Sequence, residues 1–363
     1  MNQRTILHFG APTALLLAAF FLFGVQPSAS QDDPAIAEKP QFVEGEALVM
    51  FKTDPSRPDR AEINSLGLNF VNSAGQSDLT RAVMEERLQA RTLGIEIEPQ
   101  VLFDLRELKN ERVKARMDRL GTFQTQAYGD GGQGDRFVFG LAHSDDVSTE
   151  QLVAKLRENP EVMHVQPNYL YYTDQNYENS GDLYGVFNND NGAGVRADVA
   201  WNQGYTGQGV IAANIDTGVD IEHPDLRDNI WQNPGENCDN DRDDDNNGFV
   251  DDCNGWDFRD DDNDPRNNAF AHGTHTSGTT AAARNGDGVV GVAPDITLMP
   301  MKVFGDSGGA STLDIVKAID YAWENGADII NLSLGSPNAV CPTIEYDAIQ
   351  RAYAAGVFLV ASS

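Results

Sequence analysis

Ile211-Ala-Ala-Asn-Ile-Asp216-Thr-Gly-Val-Asp220 is an apolar segment that delivers a carboxylate. The pattern predicts a strand with Asp216 at its carboxyl end, which is where open α/β sheets place their sites. An acid that only caps the strand fits the same pattern. An aspartic peptidase also carries its acid in Asp-Thr-Gly, but it needs a second such carboxylate, from this chain or a partner. No second Asp-Thr-Gly occurs in the 363 residues.

The segments that follow Trp201 alternate between the strand pattern and the helix pattern. Strands are predicted at 209–214, 297–303, 329–332 and 357–360, and helices at 273–283, 312–324 and 346–355. Such alternation is typical of a mostly parallel sheet with helices on both faces. We therefore predict an α/β fold for this part of the chain.

Two further segments carry polar residues in positions suited to chemistry. His272-Gly-Thr-His275-Thr-Ser-Gly opens a helix of small residues, with His272 at its start. An ordinary polar residue at a helix start fits this pattern too. A metal site of His272, His275 and a carboxylate is a second alternative, although zinc hydrolases more often place two histidines four apart around a Glu. Asn331-Leu-Ser333-Leu-Gly335 ends a strand with small residues that can pair with an extended peptide, or it is an ordinary strand exit.

Together with Gly291-Val-Ala-Pro294, these three segments resemble the subtilisin family of serine peptidases over Trp201 to Ser363. The order Asp, His, Ser is that of subtilisin itself. The resemblance implies that Asp216 orients the imidazole and that His272 is the general base. It implies a structural role for His275. The substrate strand would lie between two walls, formed by Ser333, Leu334 and Gly335 on one side and Gly308, Gly309 and Ala310 on the other.

The resemblance also predicts two residues that the 363 residues do not contain. The family has an oxyanion-binding Asn soon after the position of Ala361 and a nucleophilic Ser in Gly-Thr-Ser-x-Ala. Ser362 and Ser363 precede the expected Asn and are not candidates for the nucleophile. We therefore expect a catalytic domain that is incomplete at its C-terminus, an inactive chain, and a full-length parent that is a serine endopeptidase acting on protein and peptide substrates.

The formal net charge of −30 argues against nucleic acid as a partner, because phosphate binding needs clustered Lys and Arg. Twelve aspartates lie between Asp239 and Asp264, and such crowding favours cation binding. Of the three cysteines, Cys238 and Cys253 bracket this loop, so we expect them to form a disulfide. Cys341 is then left without a partner in this chain.

Calcium is the predicted cofactor, with a structural role. Within Asp243-Asp-Asp245-Asn-Asn247-Gly248-Phe-Val-Asp251, acids or amides occupy loop positions one, three, five and nine, and glycine is at six, as in an EF-hand-type loop. Asn254 replaces the terminal Glu, and a solvated acidic loop is the alternative. The family resemblance implies a second site. Its ligands would be Asp225, the side chain of Asn285 and the carbonyls of Ala283, Asp287 and Val289.

The N-terminal part divides into a targeting segment and a small domain. Residues 1–30 read as a signal peptide cleaved after Ser30, which predicts a secreted protein, and we expect no membrane span. Residues 41–173 are predicted to form a small α+β domain, with a charged helical insertion at 79–120. Ser148 to Gln151 forms a capping box within it. Residues 174–194 are a linker and processing region, and 195–363 the partial catalytic domain.

The module that ends in Asn168-Tyr-Leu-Tyr-Tyr172 resembles the propeptide inhibitor of the same family. The resemblance implies an intramolecular folding template whose exit strand lies in the substrate cleft until self-cleavage between Thr173 and Leu183. An ordinary accessory domain is the alternative. For the whole chain, the alternatives are a non-catalytic fragment that acts as a peptidase inhibitor and an extracellular calcium-binding module. We expect a monomer.

Overall fold

Two β-sheets organise the part of the chain that the computed structural model describes. The described residues are 42–52, 76–104, 110–120, 136–173, 195–267, 270–286, 288–306, 308–336 and 342–362. The predicted signal peptide, the linker at 174–194, Asp287, Cys341 and Ser363 lie outside them. No helix among the described residues has the length and hydropathy needed to cross a membrane.

The strands, in chain order, are β1 (Phe42–Phe51), β2 (Glu96–Asp104), β3 (Arg136–His143), β4 (Val162–Thr173), β5 (Ile211–Asp216), β6 (Trp256–Asp257), β7 (Thr297–Lys302), β8 (Ala310–Ser311), β9 (Ile329–Leu332), β10 (Leu334–Gly335) and β11 (Phe358–Ala361). The helices are α1 (Gln76–Leu88), α2 (Ala90–Leu93), α3 (Glu111–Leu120), α4 (Thr149–Arg157), α5 (Ala197–Trp201), α6 (His272–Ala281), α7 (Thr312–Glu324) and α8 (Thr343–Ala354). A 3-10 turn spans Arg227–Asn229.

The C-terminal sheet is parallel, in the order β11-β9-β5-β7-β6. Alternate residues of its central strand β5 face opposite layers, because successive side chains of a strand point to opposite faces. Ala213 and Ile215 belong to the core that includes α7 and α8. Ala212 packs in a second core with Ala281 of α6. Helices therefore cover both faces, and the predicted α/β fold is confirmed.

The N-terminal sheet is antiparallel, in the order β10-β4-β1-β3-β2. Apolar residues of α1 and α4, including Met84 and Leu152, pack with β1 in a core of their own. The capping box predicted at Ser148 and Gln151 is present at the start of α4.

The structure differs from the sequence prediction within the charged insertion. Glu96–Asp104 was expected to be helical and instead forms strand β2. Ile97 of β2 is buried, and Met84 of α1 packs in the same core. Pairing with β3 decided the conformation, because β-propensity depends on neighbouring strands more than on the local sequence.

Strand β4 belongs to both parts of the chain. Its first half pairs with β1, and its last residues pair with β8 on one side and with β10 on the other. All described residues belong to one compact unit.

Candidate active site

Asp216 lies at the carboxyl end of β5 and its side chain is fully buried. A buried carboxylate is costly unless its oxygens accept hydrogen bonds. Oδ1 accepts the backbone N–H of Thr217 at 2.7 Å, and Oδ2 accepts the hydroxyl of Thr276 at 3.1 Å. These contacts hold the carboxylate in one orientation.

His272 is the first residue of α6, and its Nδ1 lies 2.7 Å from Oδ1 of Asp216. The imidazole is only 9% exposed. The helix start comes this close to β5 because Gly273 has no side chain. A Cβ there would lie 2.2 Å from the carbonyl oxygen of Gly218. The structure thus brings together two residues that are 56 positions apart in the sequence.

His275 is exposed on the same helix, and its side chain is not grouped with other metal-ligating residues. Among the described residues, one set of three or more His, Cys, Asp or Glu side chains could hold an ion together, and it contains no histidine. The geometry therefore gives no support to a metal site built on His272 and His275.

A buried amide network, which the sequence analysis did not identify, connects the three segments of the site. Asn214 of β5 donates to Ser277 Oγ at 2.9 Å and to Thr276 Oγ1 at 3.1 Å, both on α6. Its own Oδ1 accepts from Asn331 of β9 at 2.8 Å, and Asn331 also donates to Ser333 Oγ. A polar residue inside an otherwise apolar strand was the available signal.

The predicted substrate walls lie on either side of the end of β4. Leu334 and Gly335 form β10, where Gly335 is in register with Tyr172 of β4. On the opposite side, Gly308 and Gly309 lead into β8, whose Ala310 is in register with Tyr171. A strand of the chain itself thus occupies the space between the two walls.

The aspartate-rich loop contains the predicted disulfide between Cys238 and Cys253. Asp243, Asp245 and Glu236 can each direct one oxygen to a common point, with those oxygens within 4.8 Å of one another. Glu236 was missed, because it precedes the motif and no spacing rule includes it. Burial raises the pKa of Asp245, and the nearby charge of Asp243 adds to this.

The other two predicted ligands of this loop have different roles in the structure. Asn247 donates from its side chain to Asp245 and to the buried Asp252. Asp251 accepts the backbone N–H groups of Asn240 and Asp241, so its carboxylate is used at the other end of the loop. The structure therefore groups Asp243 and Asp245 with Glu236 and does not include Asp251 in that set.

The second predicted calcium site is a close approach of two loops. Asp225 accepts the backbone N–H of Val289 on Oδ2 at 2.9 Å, and its carbonyl accepts the N–H of Ala283. Asn285 donates its side chain to the carbonyl of Pro224. The structure brings these predicted residues together, whereas Asp287 lies outside the described residues.

Known proteins resemble the part of the chain that contains Asp216 and His272. The Subtilase family profile matches residues 207–363. The minor extracellular protease Vpr of Bacillus subtilis is 38% identical over 189 residues, which is 51% of this chain and 22% of that protein. Subtilisin E of the same organism is 30% identical over 214 residues, or 59% of this chain and 47% of that protein. Subtilisin DY of Bacillus licheniformis is 36% identical over 169 residues, or 47% and 52%.

The chain thus spans about half or less of the length of these relatives. Among solved structures, fervidolysin from Fervidobacterium pennivorans, a keratinolytic enzyme related to subtilisin, aligns with a TM-score of 0.53 and 18% identity. The alignment covers 90% of this chain and 40% of that one, and at this identity it shows the fold alone. Residues 207–363 of this chain therefore match the subtilase family, and the relatives that align with this part of the chain are subtilisins and a related extracellular protease.

Proposed function

We propose that this chain is part of the precursor of a secreted serine endopeptidase that hydrolyses peptide bonds through an Asp-His-Ser triad. The observation that carries the proposal is the 2.7 Å contact between Asp216 Oδ1 and His272 Nδ1 at the carboxyl end of β5. Asp216 would hold the imidazole with a proton on Nδ1, which leaves Nε2 to take the proton of a serine. His272 would then return that proton to the leaving amine.

The serine belongs, in this proposal, to sequence outside the 363 residues, which contain no Gly-Thr-Ser segment. We expect the isolated chain not to hydrolyse casein, because no acyl-enzyme can form without the nucleophile. A protein extended to include that segment should hydrolyse casein and lose this activity to a serine-directed inhibitor. Inhibitor-sensitive cleavage by the 363-residue chain itself would refute the assignment of the missing nucleophile.

Residues 41–173 are proposed to be an intramolecular inhibitor and folding template. Support comes from the end of β4, which pairs on both edges with the strands proposed to hold substrate. An extended peptide bound between two strands gains main-chain hydrogen bonds on both sides. The same observation favours a second function, in which the N-terminal module inhibits related peptidases. We further propose that residues 1–30 direct export of the chain and that cleavage within 174–194 separates the N-terminal module from the catalytic domain. The protein is proposed to be a monomer.

Calcium is proposed to stabilise the two loops described above. The donor chemistry fits, because Glu236, Asp243 and Asp245 offer three carboxylates to one point and Asp225 lies beside the 283–289 loop. Carboxylate and carbonyl oxygens are the ligands that Ca²⁺ prefers. A bound cation would also favour the charged form of Asp245, which burial opposes.

Addition of 5 mM Ca²⁺ to metal-free chain is expected to raise the melting temperature by several degrees, since a ligand that binds only the folded state stabilises it. The double substitution Asp243→Asn and Asp245→Asn should remove the part of this rise that the aspartate-rich loop contributes, and leave the part that the Asp225 site contributes. Asp261→Asn, in the same acidic region but outside the three-carboxylate set, is the matched control. Differential scanning calorimetry measures the shift, and an equal calcium response in both variants would contradict a site at Asp243.

A further inference from the structure

Helix α3 (Glu111–Leu120) lies in the charged insertion and packs against residues 195–363, the catalytic region of the proposal above. Val113 of this helix is fully buried and belongs to the core that also contains β5 and α7. Asn110 caps the helix start, since its Oδ1 accepts the backbone N–H groups of Arg112 and Val113. The helix is therefore capped at its start and packed against the core, although the insertion in which it lies is highly charged.

Two arginines of α3 bind the amino-terminal edge of the parallel sheet. Arg112 donates to the Asp328 carboxylate and, at 2.9 Å, to the carbonyl of Gly209. Arg116 is only 7% exposed and donates to the carbonyl of Ala327 at 2.7 Å, with Asp328 3.7 Å away. Charge-assisted hydrogen bonds of this kind are stronger than neutral ones.

The surface on the catalytic side is shaped for this helix. Gly326 has a φ of 91°, and a Cβ there would come within 3.2 Å of both Asn110 and Arg112. The Asp328 carboxylate also accepts the backbone N–H of Ile211 at 3.0 Å, which orients it at the start of β5. Carbonyl and carboxylate oxygens thus accept hydrogen bonds from two guanidinium groups. Gly326 beside them has no side chain and leaves room for α3.

This contact is far from the strands that hold the end of β4. Gly209 and Asp328 precede β5 and β9, whereas Asp216 ends β5, and five residues of strand span about 16 Å. The N-terminal region therefore touches the catalytic region at both ends of the parallel sheet.

We propose that α3 is a second, ionic anchor that keeps the N-terminal region bound to the catalytic region at the edge of the sheet remote from Asp216. On the catalytic region, the surface that α3 contacts consists of Gly209, Gly326, Ala327 and Asp328. Arg112 and Arg116 of α3 bind this surface. Cleavage of the linker at 174–194 alone would then leave the two parts associated. Release would require loss of the arginine contacts, which salt screens. The proposal does not depend on peptidase activity.

Hydrogen exchange of the full 363-residue chain, followed by mass spectrometry, tests the anchor. In the double variant R112A/R116A, the amides of α3 should exchange at least 10-fold faster, while those of α4 stay unchanged. Alanine favours helix more than arginine does, so faster exchange would report lost docking and not lost helix propensity. K114A is the matched control, because Lys114 pairs with Glu111 within the helix.

A reciprocal variant tests the same contact from the other side. Asp328→Asn keeps an oxygen for the Ile211 N–H and should still speed exchange of α3, and its combination with R112A/R116A should add less than the sum of the two effects. Raising NaCl to 0.5 M should speed exchange of α3 in the unmodified chain more than in R112A/R116A. Equal α3 exchange in K114A and R112A/R116A, or additive effects with Asp328→Asn, would overturn the proposal.

Discussion

Replacing Asp216 by Asn in a protein that carries the nucleophilic serine is expected to lower kcat for peptide hydrolysis by about 10⁴-fold, the loss that the wrong histidine tautomer causes in serine peptidases. The side-chain amide would donate to Nδ1 of His272, where the carboxylate accepts. Nε2 would then carry the proton and could not accept one from serine. Steady-state kinetics with a chromogenic peptide measures kcat and KM separately.

Asp220→Asn is the matched control for this experiment. Asp220 follows Asp216 by four residues, and its carboxylate accepts only the nearby N–H of Glu222 in the hydrogen bonds described, so kcat should stay within about twofold. Thr276→Val removes the hydroxyl that donates to Asp216 and should cost about tenfold, the equivalent of one hydrogen bond. A D216N protein that kept a tenth of the activity would refute the role proposed for Asp216.

The free energy of unfolding of the chain is expected to fall as the pH rises toward 7, because of Glu345. This residue of α8 is 7% exposed, and it accepts the hydroxyl of Tyr171 from β4. Burial raises the pKa of Glu345 to about 7. An unfolded chain would give it a pKa of about 4.3, so the folded chain holds a proton that the unfolded chain releases between these values.

The direction of the pH effect on stability follows from this difference between the folded and unfolded pKa. The contribution of Glu345 to stability is fully present below about pH 4, declines as the pH approaches 7 and is lost above it, at a cost of about 4 kcal/mol. Burial also raises the pKa of Asp252 and of Asp314 to about 6, which adds to the decline. Comparison of variants separates the share of Glu345.

Glu345→Gln should raise the free energy of unfolding at pH 8.5 by up to about 4 kcal/mol and change it little at pH 4. The amide cannot ionise, and its oxygen can still accept the Tyr171 hydroxyl. Urea unfolding across this pH range measures the effect, with Glu158→Gln at an exposed position as the control. If Glu345→Gln and Glu158→Gln had the same pH profile, the protonated buried carboxyl would be contradicted.

Local patterns were sufficient for most elements of the catalytic region. The periodicity of 312–324 and 329–332 predicts the observed bounds of α7 and β9, since these patterns depend on residues only a few positions apart. The resemblance of the Asp and His segments to the subtilisin family implied the pair at Asp216 and His272, whose side chains the structure places in contact. The acidic loop was also recognisable, because its residues are close in the sequence.

Contacts between distant segments could not be predicted in the same way. Glu96–Asp104 became a strand because β3 offered a partner, and Arg112 and Arg116 reached Asp328 because burial of Val113 turned α3 toward the sheet. Asn214 and Glu345 acquired their partners only when separate elements met. Periodicity reveals which face of a helix or strand is apolar. Which other element covers that face depends on how all the elements pack together, so only the tertiary structure determines it.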